Sequence, residues 1–299
     1  MSLAAHIAKS LQLPEPYVLM LAATASHRYK EFAIKKSDGK SLRRIEQPSK
    51  ELKLLQRWLV RRVFDSLPTH PCAHAYVRGR SIRTNAAVHQ QGRYISRLDL
   101  ENFFPSLTSG DVESLLKSNR VLADGSKLDD RDILLIRALV CRFGKLTIGA
   151  PSSPTVSNKL LYALDMRITE MTEPLNVNYS RYADDLYFSS SRPGVLADVC
   201  KKAEYIVVNA PTPKLTINKN KTYHASRKKR MAVTGLRITP EANISVGQDL
   251  KRKIRSLAHK ARNKEIKADD LGSLRGLLAY VSSIEPSFSE RIRSKYKIE

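Results

Sequence analysis

The run RYADDLYFSS, residues 181–190, places two adjacent carboxylates, Asp184 and Asp185, between two aromatic segments that have the character of β-strands. An isolated Asp-Asp pair between strands is ordinarily a polar turn. This connection lacks the glycine that two-residue hairpin turns favour, and its two negative charges repel each other. The stretch therefore predicts a β-hairpin whose turn is either plainly polar or holds a cation.

A third carboxylate, Asp99, ends another predicted strand in the stretch RLDLENFFPSL, residues 97–107. If the two strand ends lie side by side, the three carboxylates share one pocket, which is costly unless a cation neutralises it. Oxygen ligands without His or Cys suit Mg²⁺. Two such ions, about 3.5–4 Å apart, stabilise the attacking and leaving oxygens of a phosphoryl transfer. The pattern therefore predicts a site for nucleotidyl-transfer chemistry.

The overall charge indicates the partner. Of the 299 residues, 52 are Lys or Arg and 29 are Asp or Glu, so the formal net charge is +23. An excess of this size is typical of proteins that bind polyanions, and such binding weakens as salt concentration rises. A basic surface that serves only solubility is the alternative.

Cysteine usage and hydropathy bear on the compartment. Cys72, Cys141 and Cys200 are few, odd in number and widely spaced, so they predict neither a disulfide framework nor a zinc site. The N-terminus lacks the apolar core of a signal peptide, and no apolar run is long enough for a membrane span. We therefore expect a soluble, cytoplasmic protein with no membrane partner.

The order of predicted elements indicates an α+β chain and not a βαβ repeat. Helices are predicted over 1–25, from Ser49 to 67, from Thr108, from Ser153 to about 171, over 203–210 and from about Asp249 onward. Strands are predicted on either side of a turn at Asp38-Gly39, and over 93–100, 177–182, 186–190, 214–218 and 231–239.

The segment 249–267 predicts a helix with an apolar stripe through Leu250 and Ile254 and a strongly basic remainder. On that basic face, the residues predicted to bind RNA or DNA are Lys251, Arg252 and Arg255. The face is either a solvated surface or a phosphate-binding one, and the net charge of the chain favours phosphate contact.

Several motifs, taken in order, resemble those of reverse transcriptases. LDLENFF (98–104), GAPSSP (149–154) and YADD (182–185) look like three of their core motifs. NAAVH (85–89) and VTG (233–235) resemble the Asn-Ala-x-x-His and Val-Thr-Gly motifs of retron reverse transcriptases, and residues 35–58 resemble the fingers of the same group. The resemblance covers about residues 28–290.

This resemblance implies a right-hand polymerase fold with fingers, a palm whose antiparallel sheet carries the catalytic Asp residues, and a helical thumb. The implied divisions are N-terminal helices and fingers at 1–92, palm at 93–108 and 148–238, a helical insertion at 109–147, and a basic thumb at 239–299.

The resemblance also assigns roles at the metal site. Asp99 and Asp184 would be the principal ligands of two Mg²⁺ ions, for which Mn²⁺ can substitute; Asp185 would complete the cluster, and the Leu100 carbonyl could also reach a metal. Phe104 matches the steric gate that excludes a 2′-hydroxyl, which makes dNTPs the expected substrates. Phe103 is expected in the core.

Other matching positions are expected to hold the nucleotide. Lys36 and Arg43 on the fingers hairpin would bind the triphosphate, with Arg44 replacing Arg43 if the register slips by one. Lys221 would assist the leaving pyrophosphate, with Lys219 close by. The loop Gly149, Ala150 and Pro151 would shape the nucleotide floor. Thr147-Ile148 departs from the Pro-Gln usual before this Gly-Ala, so the amide contact of that Gln is missing.

The two retron-type motifs have local alternatives. Asn85 and His89 are either a capped helix with a partly buried histidine or a surface that binds RNA or DNA. Val233, Thr234 and Gly235 are either a strand-turn or an RNA or primer contact. The family resemblance favours nucleic-acid binding for both.

As a whole, the resemblance implies a retron reverse transcriptase. Such an enzyme copies part of its cognate structured noncoding RNA into multicopy single-stranded DNA (msDNA), primed from a guanosine 2′-hydroxyl. The expected partners also include host RNase H, since no such segment is seen, and a separate antiphage effector, for example an ATPase and nuclease pair. The alternatives are another prokaryotic reverse transcriptase, of group II intron or other defence type, and a catalytically silent RNA-binding scaffold.

Overall fold

The computed structural model describes residues 2–35, 39, 41–122, 124–263 and 265–298. In chain order, its α-helices are α1 (Leu3–Leu11), α2 (Glu15–Ala23), α3 (Lys50–Arg62), α4 (Ile82–Val88), α5 (Phe103–Ser106), α6 (Ser109–Ser118), α7 (Asp130–Val140), α8 (Ser153–Leu160), α9 (Tyr162–Thr172), α10 (Val195–Val208), α11 (Gln248–Arg262), α12 (Ala268–Ser282) and α13 (Pro286–Tyr296). The strands are β1 (Tyr29–Lys35), β2 (Leu42–Pro48), β3 (Tyr94–Asp99), β4 (Asn178–Tyr182), β5 (Asp185–Ser190), β6 (Tyr223–Ser226), β7 (Ala232–Val233), β8 (Leu236–Ile238) and β9 (Ile244–Ser245).

The central element is a four-stranded antiparallel sheet in the order β4-β5-β3-β6. Because side chains alternate along a strand, the sheet has two faces. Leu98 and Phe188 pack into the large core that also contains the N-terminal helices and α10. Ile95 and Tyr187 pack on the opposite face, against the small sheet β7-β8-β9 and α4. Both faces are therefore covered.

Two further units flank this sheet. The hairpin β1–β2 precedes α3, and the backbone N–H of Glu46 on β2 donates to the Ile148 carbonyl at 2.8 Å. The C-terminal helices α11, α12 and α13 enclose a separate apolar core around Ile254, Leu278 and Phe288. The mixed helix-and-sheet architecture with C-terminal helices confirms the predicted fold class.

Local caps explain where several helices begin. The Ser49 hydroxyl accepts the Leu52 N–H at the start of α3, at 3.3 Å. Thr108 and Asp111 form a reciprocal capping box at the start of α6. Both helices begin where the sequence predicts.

Some predicted elements were wrong. Residues 214–218 form only an isolated bridge, Leu100 to Ile217, because their backbone follows the end of β3 instead of entering the sheet. The fourth strand of the central sheet, β6, was not predicted from the sequence. The helix expected from Ser153 to 171 breaks at Leu161 into α8 and α9. The stretch 231–239 does form strands, β7 and β8, which pair around Thr234-Gly235 as in the strand-turn alternative.

A fully buried ion pair supports the hairpin formed by β4 and β5 from the core. Arg181 of β4 donates through Nε and Nη2 to Asp165 of α9, with an Nη2–Oδ2 distance of 2.7 Å, and both side chains are fully buried. The Tyr179 hydroxyl also donates to Asp165, at 2.8 Å. Nη1 of Arg181 donates to Asn158 at 3.0 Å and to the carbonyl of Ala183, in the turn, at 3.3 Å. The pair therefore joins α8, α9 and the hairpin turn.

Arg181→Met is expected to lower stability strongly, because it leaves the Asp165 carboxylate buried without its cation. Breaking a buried pair on one side costs about 3–5 kcal/mol. The measurement is the urea unfolding midpoint. The double variant Arg181→Met/Asp165→Leu should recover part of the loss, and Lys201→Met, which removes an exposed pair with Asp198, should leave the midpoint nearly unchanged. Equal destabilisation by the single and double variants would contradict this electrostatic account.

Candidate active site

The YADD stretch forms a tight hairpin turn at one end of the central sheet. Tyr182 and Asp185 are paired across β4 and β5, so Ala183 and Asp184 make a two-residue turn. Ala183 has φ +57°, a conformation that usually favours glycine. The Arg181 guanidinium holds its carbonyl, and the Leu100 N–H donates to the Asp184 carbonyl at 2.8 Å. The surrounding bonds therefore stabilise a turn that the local sequence alone disfavours.

The antiparallel register brings the three carboxylates together. Asp99, the last residue of β3, lies directly opposite Asp185, the first residue of β5. Asp184 precedes Asp185 in the turn. The Asp99 carboxylate is 7% exposed and that of Asp185 is 20% exposed, so the cluster lies at the partly buried end of the sheet.

Burial disfavours negative charge on these side chains. It raises the pKa of Asp185 to about 6, with the neighbouring Asp184 and Asp99 adding to the rise and Arg97 and Tyr187 opposing it. Burial and the charge of Asp99 also raise the pKa of Asp184. The site is therefore electrostatically short of positive charge.

Two protein cations approach the cluster. The Lys221 Nζ atom lies 3.1 Å from Oδ1 of Asp99, and the Arg97 Nε atom lies 3.7 Å from Oδ1 of Asp185. Within the described part of the chain, Asp184 has no ion-pair partner at such distances. Among the described residues, the three carboxylates thus have two ion-pair partners, and an all-oxygen donor set of this kind fits hard divalent ions. The fourth predicted ligand is the backbone carbonyl of Leu100, the buried residue that follows Asp99.

A different group of potential ligands lies in the core. His70, Cys72 and Asp165 bring a ring nitrogen, a thiol and a carboxylate oxygen within 4.8 Å of one another. Asp165 is already neutralised by Arg181, and burial raises the pKa of the Cys72 thiol, which disfavours the thiolate that a metal needs. This group is better explained as part of the buried support of the hairpin.

The two phenylalanines after Asp99 differ in exposure. Phe103 is 5% exposed and belongs to the main core, whereas Phe104 is only partly buried and packs on it with ring centroids 5.1 Å apart. The preceding residue, Asn102, has φ +46°, which turns the chain between Asp99 and this pair. The arrangement leaves Phe104 available as the predicted gate.

The fingers hairpin separates its two adjacent arginines. Arg44 lies 2.5 Å from Glu31 and 3.4 Å from Glu46, whereas Arg43 is exposed and has no carboxylate partner among the described residues. The charge of Arg43 is close enough to lower the pKa of Asp184. Lys36, the other predicted triphosphate ligand, lies outside the described residues.

The loop before α8 is shaped by contact with the fingers. Gly149 has φ +119°, and a Cβ atom there would lie 2.9 Å from the carbonyl oxygen of Glu46. The glycine is therefore required by the close approach of β2, a reason that the sequence did not indicate. Ala150 is buried and Pro151 is partly buried, and their expected contact with the nucleotide stays a prediction.

The predicted nucleic-acid contacts through Asn85 and His89 are not compatible with their burial. Both side chains are fully buried. His89 Nε2 lies 2.7 Å from the Ser180 hydroxyl, His89 Nδ1 lies 2.8 Å from that of Ser189, and Ser180 donates to Asn85 at 2.7 Å. The motif fastens α4 to β4 and β5, which is the buried alternative.

The other predicted contacts differ among themselves. Val233 is fully buried and cannot touch RNA, Thr234 is partly buried, and Gly235 is exposed. In the C-terminal helices, Arg252 and Arg255 are exposed. Lys251 is instead bonded to Glu285 at 2.5 Å, so its charge is already compensated.

Three residues of the site were missed by sequence reasoning. Arg97 and Tyr187 contact Asp185. The third is Tyr76, which has φ +62°. Burial raises the pKa of the Tyr76 hydroxyl, and the charge of Asp184 raises it further. The period of two along a strand could have found Arg97 and Tyr187, since each is two positions from a predicted carboxylate. No comparable signal marks Tyr76. In the described part of the chain, no helix is long and apolar enough to cross a membrane.

Comparison with proteins of known function identifies the family. The chain is 33% identical over 287 residues to the retron Ec83 reverse transcriptase of Escherichia coli, covering 95% of this chain and 91% of that protein. It is 32% identical to the retron Ec73 reverse transcriptase of Escherichia coli, covering 89% of this chain and 86% of that protein. It is 30% identical to the retron Ec86 reverse transcriptase of the same species, covering 96% of this chain and 86% of that protein. Comparison with sequence profiles of protein families gives no match.

Solved structures show the same fold at low identity. The telomerase of Candida tropicalis superimposes with a TM-score of 0.53 and that of Candida albicans with 0.50, each at 11% identity over 89% of this chain. The chain spans 57% and 56% of the length of those proteins. The likeness therefore concerns the polymerase fold alone.

Identity of about a third over nearly the full length of several relatives is too extensive to reflect a shared fold only. The chain belongs to the retron reverse transcriptases and is an RNA-directed DNA polymerase.

Proposed function

We propose that this enzyme is the polymerase of a retron: it binds its cognate structured noncoding RNA, starts synthesis from a guanosine 2′-hydroxyl and produces msDNA as part of an antiphage defence system. The names of the relatives support the retron assignment. The observation that carries the chemistry is the register pair of Asp99 and Asp185, with Asp184 in the adjoining turn.

Within this site, Asp99, Asp184 and Asp185 hold the divalent ions, which we propose are Mg²⁺, with Mn²⁺ as a substitute. When bound, two such ions stabilise the attacking hydroxyl and the leaving pyrophosphate oxygens. The oxygen-only donors, and the burial and Asp99 charge that raise the pKa of Asp184, support this choice.

The side chains around the carboxylates orient the nucleotide. Arg43, exposed and without a carboxylate partner in the described structure, binds the triphosphate. Phe104 lies under the sugar and excludes a 2′-hydroxyl. Lys221, which lies 3.1 Å from Asp99, donates a proton to the leaving pyrophosphate. Lys36 is proposed for the same triphosphate on the sequence alone.

The template and product are bound by the basic surface of the chain, with the exposed Arg252 and Arg255 as phosphate contacts on the thumb. Removal of copied RNA by host RNase H and the action of a separate effector protein complete the proposed pathway. An intron-type or other prokaryotic reverse transcriptase is the second candidate, but the named relatives favour the retron type.

Sequencing the nucleic acid that co-purifies with the protein tests the retron assignment. A DNA joined through a 2′–5′ linkage to a guanosine of a structured RNA is expected. An intron lariat or an unbranched DNA would contradict the assignment while leaving RNA-directed DNA synthesis intact.

Asp184→Asn is expected to reduce DNA synthesis on the cognate RNA on the order of 10³-fold or more, since electrostatic stabilisation worth several kcal/mol is lost. RNA binding should be largely kept. Primer extension and filter binding measure the two quantities. Asp198→Asn, on the exposed surface of α10, is the control and should be fully active. Substantial synthesis by Asp184→Asn would overturn the proposed site.

Phe104→Ala is expected to weaken discrimination against rNTPs by roughly 10- to 100-fold, because the ring no longer fills the space of a 2′-hydroxyl. The ratio of kcat/KM for dGTP and GTP measures it. Phe103→Leu is the matched control: it alters the core and should change stability without changing this ratio. Unchanged discrimination in Phe104→Ala would assign Phe104 to packing alone.

Stability should depend on pH and Mg²⁺ together. Since the pKa of Asp185 is raised to about 6, the folded metal-free protein binds this proton more tightly than the unfolded chain. The resulting stabilisation is present below about pH 4 and is lost as pH rises through 6. Mg²⁺ binds the ionised form, so the Tm increase on adding MgCl₂ should be larger at pH 7 than at pH 5. Differential scanning fluorimetry measures it. An equal increase at both pH values, or an Asp185→Asn variant identical to wild type, would contradict the assignment.

A further inference from the structure

The Asp185 carboxylate lies between two side chains that hold it differently. The Tyr187 hydroxyl donates to Oδ2 at 3.1 Å, and the Arg97 Nε atom lies 3.7 Å from Oδ1. Tyr187 is two positions after Asp185 on the same face of β5, and its side chain is almost fully buried. The tyrosine thus makes the hydrogen bond, while the arginine attracts the carboxylate from a longer distance.

The same hydroxyl is itself held by the Val233-Thr234-Gly235 motif. The backbone N–H of Thr234 donates to the Tyr187 hydroxyl oxygen at 3.1 Å. This leaves the hydroxyl proton directed at Asp185. The three groups form one continuous chain of hydrogen bonds from the backbone of the motif to a carboxylate of the active site.

The backbone of this motif has a conformation that is unfavourable for Thr234. Val233 pairs with Leu236, so Thr234 and Gly235 are the two residues of a hairpin turn, with φ +47° and +82°. A β-branched residue at positive φ is unfavourable and persists only when its surroundings hold it. The Thr234 hydroxyl donates to the Ile82 carbonyl at the start of α4, at 3.2 Å. The strained turn therefore points its N–H at Tyr187.

Helix α4 is fixed in turn by the Asn-Ala-x-x-His motif. His89 bonds Ser180 and Ser189 on β4 and β5, and its ring lies 6.0 Å from the Tyr187 ring. Both motifs thus contact Tyr187 of β5, one through the Thr234 N–H and the other through the His89 ring.

We propose that Tyr187 is a positioning residue: its hydroxyl, held by the Thr234 backbone N–H, fixes the Asp185 carboxylate toward the metal site and away from Arg97. The Val233-Thr234-Gly235 motif then acts on DNA synthesis through the palm, independently of any contact with RNA. This inference rests on the proposed role of Asp185 in holding divalent ions.

Tyr187→Phe removes the hydroxyl and keeps the ring. Loss of one hydrogen bond to a charged group corresponds to about a tenfold weakening, so the Mg²⁺ concentration for half-maximal DNA synthesis should rise about tenfold. The rate at saturating Mg²⁺ and RNA affinity should stay close to wild type. Titration of the protein–RNA complex with Mn²⁺, followed by electron paramagnetic resonance of the free ion, should show the same weakening without reference to activity.

Two comparisons test the route of the effect. Tyr223→Phe removes a tyrosine hydroxyl on the neighbouring strand β6 that donates to the Arg230 carbonyl, and it should leave Mn²⁺ affinity unchanged. In an Asp185→Asn background, Tyr187→Phe should cause no further loss of Mn²⁺ affinity, because its effect passes through Asp185.

Wild-type Mn²⁺ affinity in Tyr187→Phe would overturn the positioning role, as would an equal loss with Asp185 already replaced. Either result leaves the proposed function standing as long as Asp184→Asn abolishes DNA synthesis. If Asp184→Asn remains active, the proposed metal site itself fails, and the two failures are thereby distinguished.

Discussion

The accumulation of negative charge at one end of the central sheet is the constraint on which the rest of the structure depends. Antiparallel pairing of β3 with β5 sets Asp99 against Asp185, and the tight turn adds Asp184. Burial makes these charges costly, and Lys221 and Arg97 offset only part of the cost. Divalent cations are the groups that such a site accommodates.

Buried contacts on the core side of the β4–β5 hairpin stabilise this cluster of carboxylates. Arg181 and Asp165 hold the turn from the core, while Asn85 and His89 fasten the strands to α4. These side chains are fully buried and each makes at least one hydrogen bond, so they fix the register that a weakly specified turn would not fix alone. Residues that look suited to nucleic acid in the sequence therefore serve, in the structure, to hold the carboxylates in place.

Much of the fold was predictable, because the signals were local. The β-prone segments of β3, β4 and β5 and the caps at Ser49 and Thr108 indicated these elements. The resemblance of the ordered acidic motifs to those of reverse transcriptases indicated the palm and its carboxylates. What depends on distant contacts could not be predicted. β6 has little strand character of its own and forms because β3 offers it an edge. The burial of His89 arises from serines about a hundred positions away, and the need for glycine at 149 arises from the approach of β2.

Anomalous diffraction from crystals of the protein–RNA complex soaked with Mn²⁺ and a dNTP is the most direct test of the metal site. Anomalous peaks are expected about 2.0–2.3 Å from carboxylate oxygens of Asp99 and Asp184, with Asp185 directed toward them. Occupancy at His70, Cys72 and Asp165, with no peak beside the hairpin turn, would contradict it.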